Sequence, residues 1–223
     1  MLPASAQTFT IDTFDVGDFS VTPPSEFSQS LDENHVIGGV RNVRLYNDDQ
    51  GSASVSGGLA TFDRVADAVL LFSYGSYGTA NDAEHLHLNI NNLAFFVTVA
   101  EMSEPFDLQF EVDSYDLDVN DEIRHRGGSQ QVRITGPGDY MIDFESLNGN
   151  HIAEDISGIQ ISFVGGLADQ QTGNRPNGAF SFDEAWIATP VPEPSTYAAV
   201  FGLGLLGFAA FRSRARKSGV PKP

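Results

Sequence analysis

Between Gln7 and Pro190, apolar residues recur mostly at every second position, and no stretch holds a helical repeat over several turns. This alternation constrains the fold most, because successive side chains of a strand point to opposite faces. Phe106, Leu108, Phe110 and Val112 interleave with Asp107, Gln109, Glu111 and Asp113. Such a segment buries one face and wets the other. Further strands are predicted around Phe9 and Ile11, at 36–45 with a bulge at Gly38-Gly39, and at 52–56, 59–62, 68–74, 86–90, 93–99, 131–135, 140–144, 158–163 and 179–188. After Val112 the apolar set resumes at Tyr115, an odd step that predicts a break at Asp113-Ser114. Asn47 to Gly51 and Gly136-Pro137-Gly138-Asp139 are turns, and Pro23-Pro24 closes the opening region. About a dozen short strands with such turns predict an all-β fold, an antiparallel β-sandwich of jelly-roll type.

The C-terminus follows different rules. Tyr197 to Phe211 carries no charge over fifteen residues, and Arg212, Arg214, Arg216 and Lys217 follow it. As a helix this run would be about 22 Å long, against a bilayer core of about 30 Å. Glycines at 202, 204 and 207 are common in membrane helices, and the basic cluster belongs on the cytoplasmic side. A single short transmembrane helix is expected, with the body on the far side. Immediately before it stand Pro192-Glu193-Pro194-Ser195-Thr196. The order of motif, short apolar helix and Arg-rich end resembles the PEP-CTERM sorting signal. That resemblance covers Val191 to Pro223 and implies a C-terminal address in Gram-negative bacteria that make exopolysaccharide. It also implies a partner: a membrane-embedded exosortase that cuts near the Pro-Glu-Pro after transient inner-membrane anchoring and releases the body to the cell surface or matrix.

Three regions are therefore expected: residues 1–6, whose Ala4-Ser5-Ala6 has the form of a signal-peptidase site and reads as a signal-peptide remnant; a β-sandwich at 7–190; and the sorting signal at 191–223. The chain contains no cysteine, so neither disulfides nor thiol chemistry contributes. It has 12 basic and 30 acidic residues. Five of the basic residues and one acidic lie after residue 190, which leaves the body 7 against 29, a net of −22 with no lysine. Such a surface repels nucleic acid and anionic lipid, and suits cations.

Ile11-Asp12-Thr13-Phe14-Asp15 and the stretch from Phe180 to Ile187 resemble the first and last strands of carbohydrate-binding jelly-roll domains. The resemblance implies a structural calcium ion held by Asp12 or Asp15 together with Asp183, whose hard oxygens suit Ca²⁺; solvated acids on exposed faces are the alternative. A second acidic cluster, Asp113, Asp116, Asp118, Asn120, Asp121 and Glu122, begins like an EF-hand loop from Asp116, but Asp121 and Gly127 stand where Gly and Glu are needed. His85 and His87 flank Leu86 at a spacing able to hold Zn²⁺, with a third ligand from His35, His125, His151 or a carboxylate; a wet strand face is the simpler expectation. Tyr74 and Tyr77 lie in a glycine-rich stretch where they could stack on sugar rings, and Trp186 is expected in the core. No nucleophile elbow, His-Glu-x-x-His or phosphate loop is present. The expected protein is non-enzymatic, with a structural or adhesive role in exopolysaccharide or biofilm. The alternatives are a carbohydrate-binding module with structural calcium and, behind it, a polysaccharide-processing enzyme.

Overall fold

The computed structural model describes residues 8–46, 51–64, 69–77, 85–116, 123–128, 131–165 and 178–190. The contacts divide the chain into two units, Met1–Thr189 and Pro190–Pro223. The strands of the first are β1 (Thr8–Asp12), β2 (Phe19–Val21), β3 (Ser25–Ser30), β4 (Val40–Tyr46), β5 (Gly51–Ser56), β6 (Leu59–Arg64), β7 (Val69–Gly75), β8 (Ala94–Met102), β9 (Phe106–Asp116), β10 (Ile123–Gly128), β11 (Val132–Ile134), β12 (Gly138–Asp143), β13 (Asn148–Gly149), β14 (Gly158–Gly165) and β15 (Gly178–Ala188). The only helical pieces among the described residues are short 3-10 turns at Ile37–Gly39 and Phe144–Ser146. The residues predicted as a transmembrane helix and as a signal-peptide remnant lie outside the described residues. No helix among the described residues is long and apolar enough to cross a membrane.

All pairings are antiparallel and form two sheets. The seven-stranded sheet runs β12-β8-β15-β6-β5-β2, and β1 shares the edge of β15 with β6. The eight-stranded sheet runs β13-β10-β9-β14-β7-β4-β3, with β11 beside the start of β9. Both sheets turn their apolar sides into one core. From the first come Phe62, Phe95, Val97, Phe180 and Phe182; from the second, Val43, Phe72, Phe110, Ile161 and Phe163. Phe14, Phe72, Phe163 and Phe182 form a ring cluster at centroid distances of 4.4 to 6.3 Å. Burying each such ring stabilises the fold by about 1.5–3 kcal/mol, and this packing holds a domain without disulfides.

The structure departs from the alternation pattern in several places. No break occurs at Asp113-Ser114: β9 pairs with β10 in unbroken register from Glu111 to Asp116. The inward series passes from Val112 to Ser114, whose buried hydroxyl accepts the Ile152 amide at 2.7 Å, and Tyr115 lies on the outward face instead. The expected bulge at Gly38-Gly39 is a 3-10 turn in which both glycines have positive φ. Residues 86–90 form no named strand; they are held by an isolated bridge, Leu88 to Ile156, and by the Leu86 and Ile90 amides donating to the carbonyls of Ser157 and Ala153. The Gly136 to Asp139 turn lies between two strands as expected, and it carries the chain from β11 in one sheet to β12 in the other.

Candidate functional site

Asp12 and Tyr74 belong to the interior. Arg41 lies on β4 in the inward series with Val43 and Leu45 and is fully buried. It grips Asp12 with two bonds, Nε to Oδ2 and Nη2 to Oδ1, both 2.6 Å. Tyr74 donates its hydroxyl to Asp12 Oδ2 at 3.0 Å, and the Phe14 amide donates to Oδ1 at 2.9 Å. Arg41 Nη1 also donates to the carbonyls of Val16 and Gly17 and to Gln29 Oε1, and the guanidinium lies 5.3 Å from the Phe14 ring centre. This cluster bolts β1 of one sheet to β4 and β7 of the other. Burial, then the Asp12 charge, pushes the Tyr74 hydroxyl well above its ordinary pKa. Two expected roles are thereby corrected. Asp12 is closed to calcium because four donors already surround it, and Tyr74 is closed to sugar because it has no exposed surface.

Tyr77 faces the other way. It packs its backbone over Gly158, where a Cβ would collide with it, and its hydroxyl donates to Glu111 Oε2 at 2.8 Å on the outer side of the eight-stranded sheet. Gln160 Nε2 donates to the same oxygen at 2.8 Å, and Ser73 Oγ lies 3.4 Å from Gln160 Oε1. Arg126 sits 5.3 Å from the Tyr77 ring centre and 3.5 Å from Asp113. Burial first, and then Glu111, pushes the Tyr77 hydroxyl far above its usual range, so it remains a donor.

Register explains why these residues meet. Ser28 pairs with Asn42, Asn42 with Ser73, Ser73 with Gln160, and Gln160 with Glu111. The five stand side by side on adjacent strands, at the strand spacing of about 4.8 Å. Their chain neighbours Phe27, Val43, Phe72, Ile161 and Phe110 point into the core, which fixes the row outward. Hydroxyl, amide and carboxylate thus line one straight polar track with Tyr77 beside it. Asn42, Ser73, Gln160 and Glu111 were not anticipated as a group. Their polarity at alternate positions was visible, but the strand order that aligns them was not.

The remaining acids gather elsewhere. Asp183 occupies a bulge in β15, where the register with β8 slips between Phe182 and Glu184. Its Oδ1 is buried without a hydrogen-bond partner. Burial, followed by the charges of Asp183, Asp15 and Asp139, holds the Glu184 carboxyl above its ordinary value. Trp186 is not in the core as expected; it stacks on Phe96 at 5.3 Å, on the outer side of the seven-stranded sheet, where Phe96 pairs with exposed Met141.

The fold and these surfaces define an antiparallel β-sandwich with one polar and one partly aromatic outer face. Residues 190–217 match the PEP-CTERM protein-sorting motif, which includes Pro192, Glu193, Pro194, Ser195 and Thr196 and the basic cluster. That motif indicates export and sorting to the cell surface by an exosortase. No curated protein matches the chain. Among solved structures, the chain is similar to the family 11 carbohydrate-binding module from Clostridium thermocellum in complex with a β-1,3-1,4-mixed-linked tetrasaccharide. Identity is 9%, coverage is 81% of this chain and 94% of that one, and the TM-score is 0.39. The solution structure of CtCBM11 gives 9% identity, 86% and 100% coverage, and a TM-score of 0.43. A glycosylation-associated protein complex from Streptococcus agalactiae gives 8% identity, 74% and 26% coverage, and a TM-score of 0.33.

Proposed function

We propose that this chain is a non-catalytic cell-surface protein whose sandwich holds matrix polysaccharide along the outer row of the eight-stranded sheet, in an adhesive or structural role. The observation that carries this reading is the row Ser28, Asn42, Ser73, Gln160 and Glu111, aligned across five strands with Tyr77 at its side. Sugar hydroxyls donate and accept at once, and the row offers them hydroxyls, amides and a carboxylate. Glu111 serves as an acceptor fixed by two donors, a positioning arrangement that needs no proton transfer. Calcium enters the reading through Asp15 and Asp183, with Asp12 removed. The partnerless buried oxygen of Asp183 is the kind of hard donor Ca²⁺ takes.

Co-sedimentation of the purified protein with its host's exopolysaccharide, in Ca²⁺ and in chelator, tests the reading. Saturable binding is expected, and Glu111→Ala should weaken it about tenfold or more, the effect of losing a charged hydrogen-bond acceptor. A second reading rests on the Phe96–Trp186 pair beside Met141, which could stack on sugar rings. Under that reading Trp186→Ala abolishes binding while Glu111→Ala leaves it unchanged. Turnover of the polymer by the protein would replace binding with catalysis.

A further inference from the structure

His85, His87 and Asp155 meet at a place that plays no part in the polysaccharide row. The Asp155 Oδ1 lies 3.1 Å from His87 Nδ1 and 3.5 Å from His85 Nε2. One nitrogen from each ring and one carboxylate oxygen all lie within 4.8 Å of one another. The two imidazoles are parallel, with their centres 4.2 Å apart. The third partner that spacing alone did not supply is thus a carboxylate 68 residues further along the chain.

The backbone builds this meeting deliberately. Leu88 and Ile156 exchange both their amide bonds, and the Leu86 amide donates to Ser157 O, so the segment 85–88 is clasped to 156–157. Leu86 locks the clasp into the body. A Cβ at Gly38 or Gly75 would stand 2.7 or 2.5 Å from its side chain, so both glycines leave the space it fills. His87 sits at φ +49°, a left-handed conformation that side chains rarely adopt. The consequence is that both histidines reach the same oxygen, although the residues that carry them form no regular strand.

From these contacts the geometry points to a divalent transition-metal site, suited to Zn²⁺, with His85, His87 and Asp155 as ligands. Zn²⁺ bonds of about 2.0–2.2 Å in a tetrahedron place neighbouring ligand atoms about 3.3 Å apart. The two carboxylate-to-imidazole separations, 3.1 and 3.5 Å, straddle that edge. Only the histidine pair must close, by rotation about side-chain bonds. Two imidazoles and one carboxylate favour Zn²⁺ over Ca²⁺, which takes six to eight oxygens. His85 is 3% exposed and His87 70%, so the set has a closed inner side and an open outer side where a fourth ligand, such as water, completes the shell. The ion would tie the segment before β8 to the one before β14 in a chain that has no disulfide to do so.

The test uses the full chain, without an affinity tag and stripped with chelator, titrated with Zn²⁺ alone by calorimetry and with Co²⁺ alone by visible absorption. One saturable site per chain is expected, together with the intense visible band of four-coordinate Co²⁺. His87→Gln and Asp155→Asn should each weaken Zn²⁺ binding on the order of 100-fold, since even outer-shell changes cost 10- to 100-fold. His125→Gln, whose ring instead meets Asn150, should leave it unchanged. Absence of saturable uptake by the wild type, or uptake unaltered in both His87→Gln and Asp155→Asn, overturns the site. If either variant fails to fold, the wild-type Co²⁺ spectrum decides: the band upholds the site and its absence overturns it. No polysaccharide is present in these titrations, so their failure and that of the glycan reading are read separately.

Discussion

Tyr74 and Tyr77 stand three residues apart, and each gives its hydroxyl to a carboxylate with an arginine close by. Around Tyr74 the set is sealed: Asp12 receives four donors, Arg41 donates to protein acceptors from all three nitrogens, and none of the three residues has exposed surface. Around Tyr77 the set is half open, with Glu111, Gln160 and Ser73 facing solvent along a row and Arg126 lying over the ring. The same residue types make a bolt when they are enclosed and an open polar surface when they are not. Burial decides between them, through the cost of leaving a charge unpaired.

The comparison can be broken most forcefully at Asp12. Asp12→Ala leaves Arg41 buried and uncompensated and should cost about 3–5 kcal/mol of stability in urea unfolding. Glu111→Ala should cost under about 1 kcal/mol by the same measurement, because its partners turn to water. An equal loss in both variants would mean that the outer face is structural too. Tyr74→Phe is a smaller change, expected to cost about 1–3 kcal/mol because it removes a hydrogen bond to a buried carboxylate. Tyr77→Phe should leave stability nearly unchanged.

A pH series sharpens the same contrast. Both tyrosines have folded pKa values raised by burial and a neighbouring carboxylate, while the unfolded chain ionises them near pH 10. Their contribution to stability is therefore complete below about pH 10 and is lost as pH rises from there toward the folded values. Urea midpoints should fall steeply above about pH 10, and Tyr74→Phe should flatten the fall more than Tyr77→Phe, since Tyr74 is the more fully enclosed. A larger flattening from Tyr77→Phe would reverse the assignment of inside and outside.

Much of the sandwich was legible from alternation alone. Phe106, Leu108, Phe110 and Val112 face inward as their spacing requires. The inner bolt left a trace that was not followed: Arg41 stands in step with Val43 and Leu45, and a charge in an inward series demands an opposite charge there. Asp12 was harder to place, because the register between β1 and β15 slips between Thr10 and Asp12, which moves it off simple parity. The alignment of the outer row could not be read. It depends on β4 lying beside β7, β7 beside β14, and β14 beside β9, pairings set by which edges meet in three dimensions. Asp155 escaped for the same reason: the clasp of segment 85–88 to 156–157, a long-range backbone pairing, brings it to the histidines.

The place of β15 in its sheet has a mechanical consequence. It is the last strand before the sorting motif in the sequence, yet it lies inside the sheet, bonded to β8 along one side and to β6 and β1 in turn along the other. A force directed along this strand would load its flanking bonds together, in shear. An edge strand pulled crosswise would instead lose its bonds one at a time, like a zip. Force along β15 would thus meet the bonds of three neighbouring strands rather than those of one.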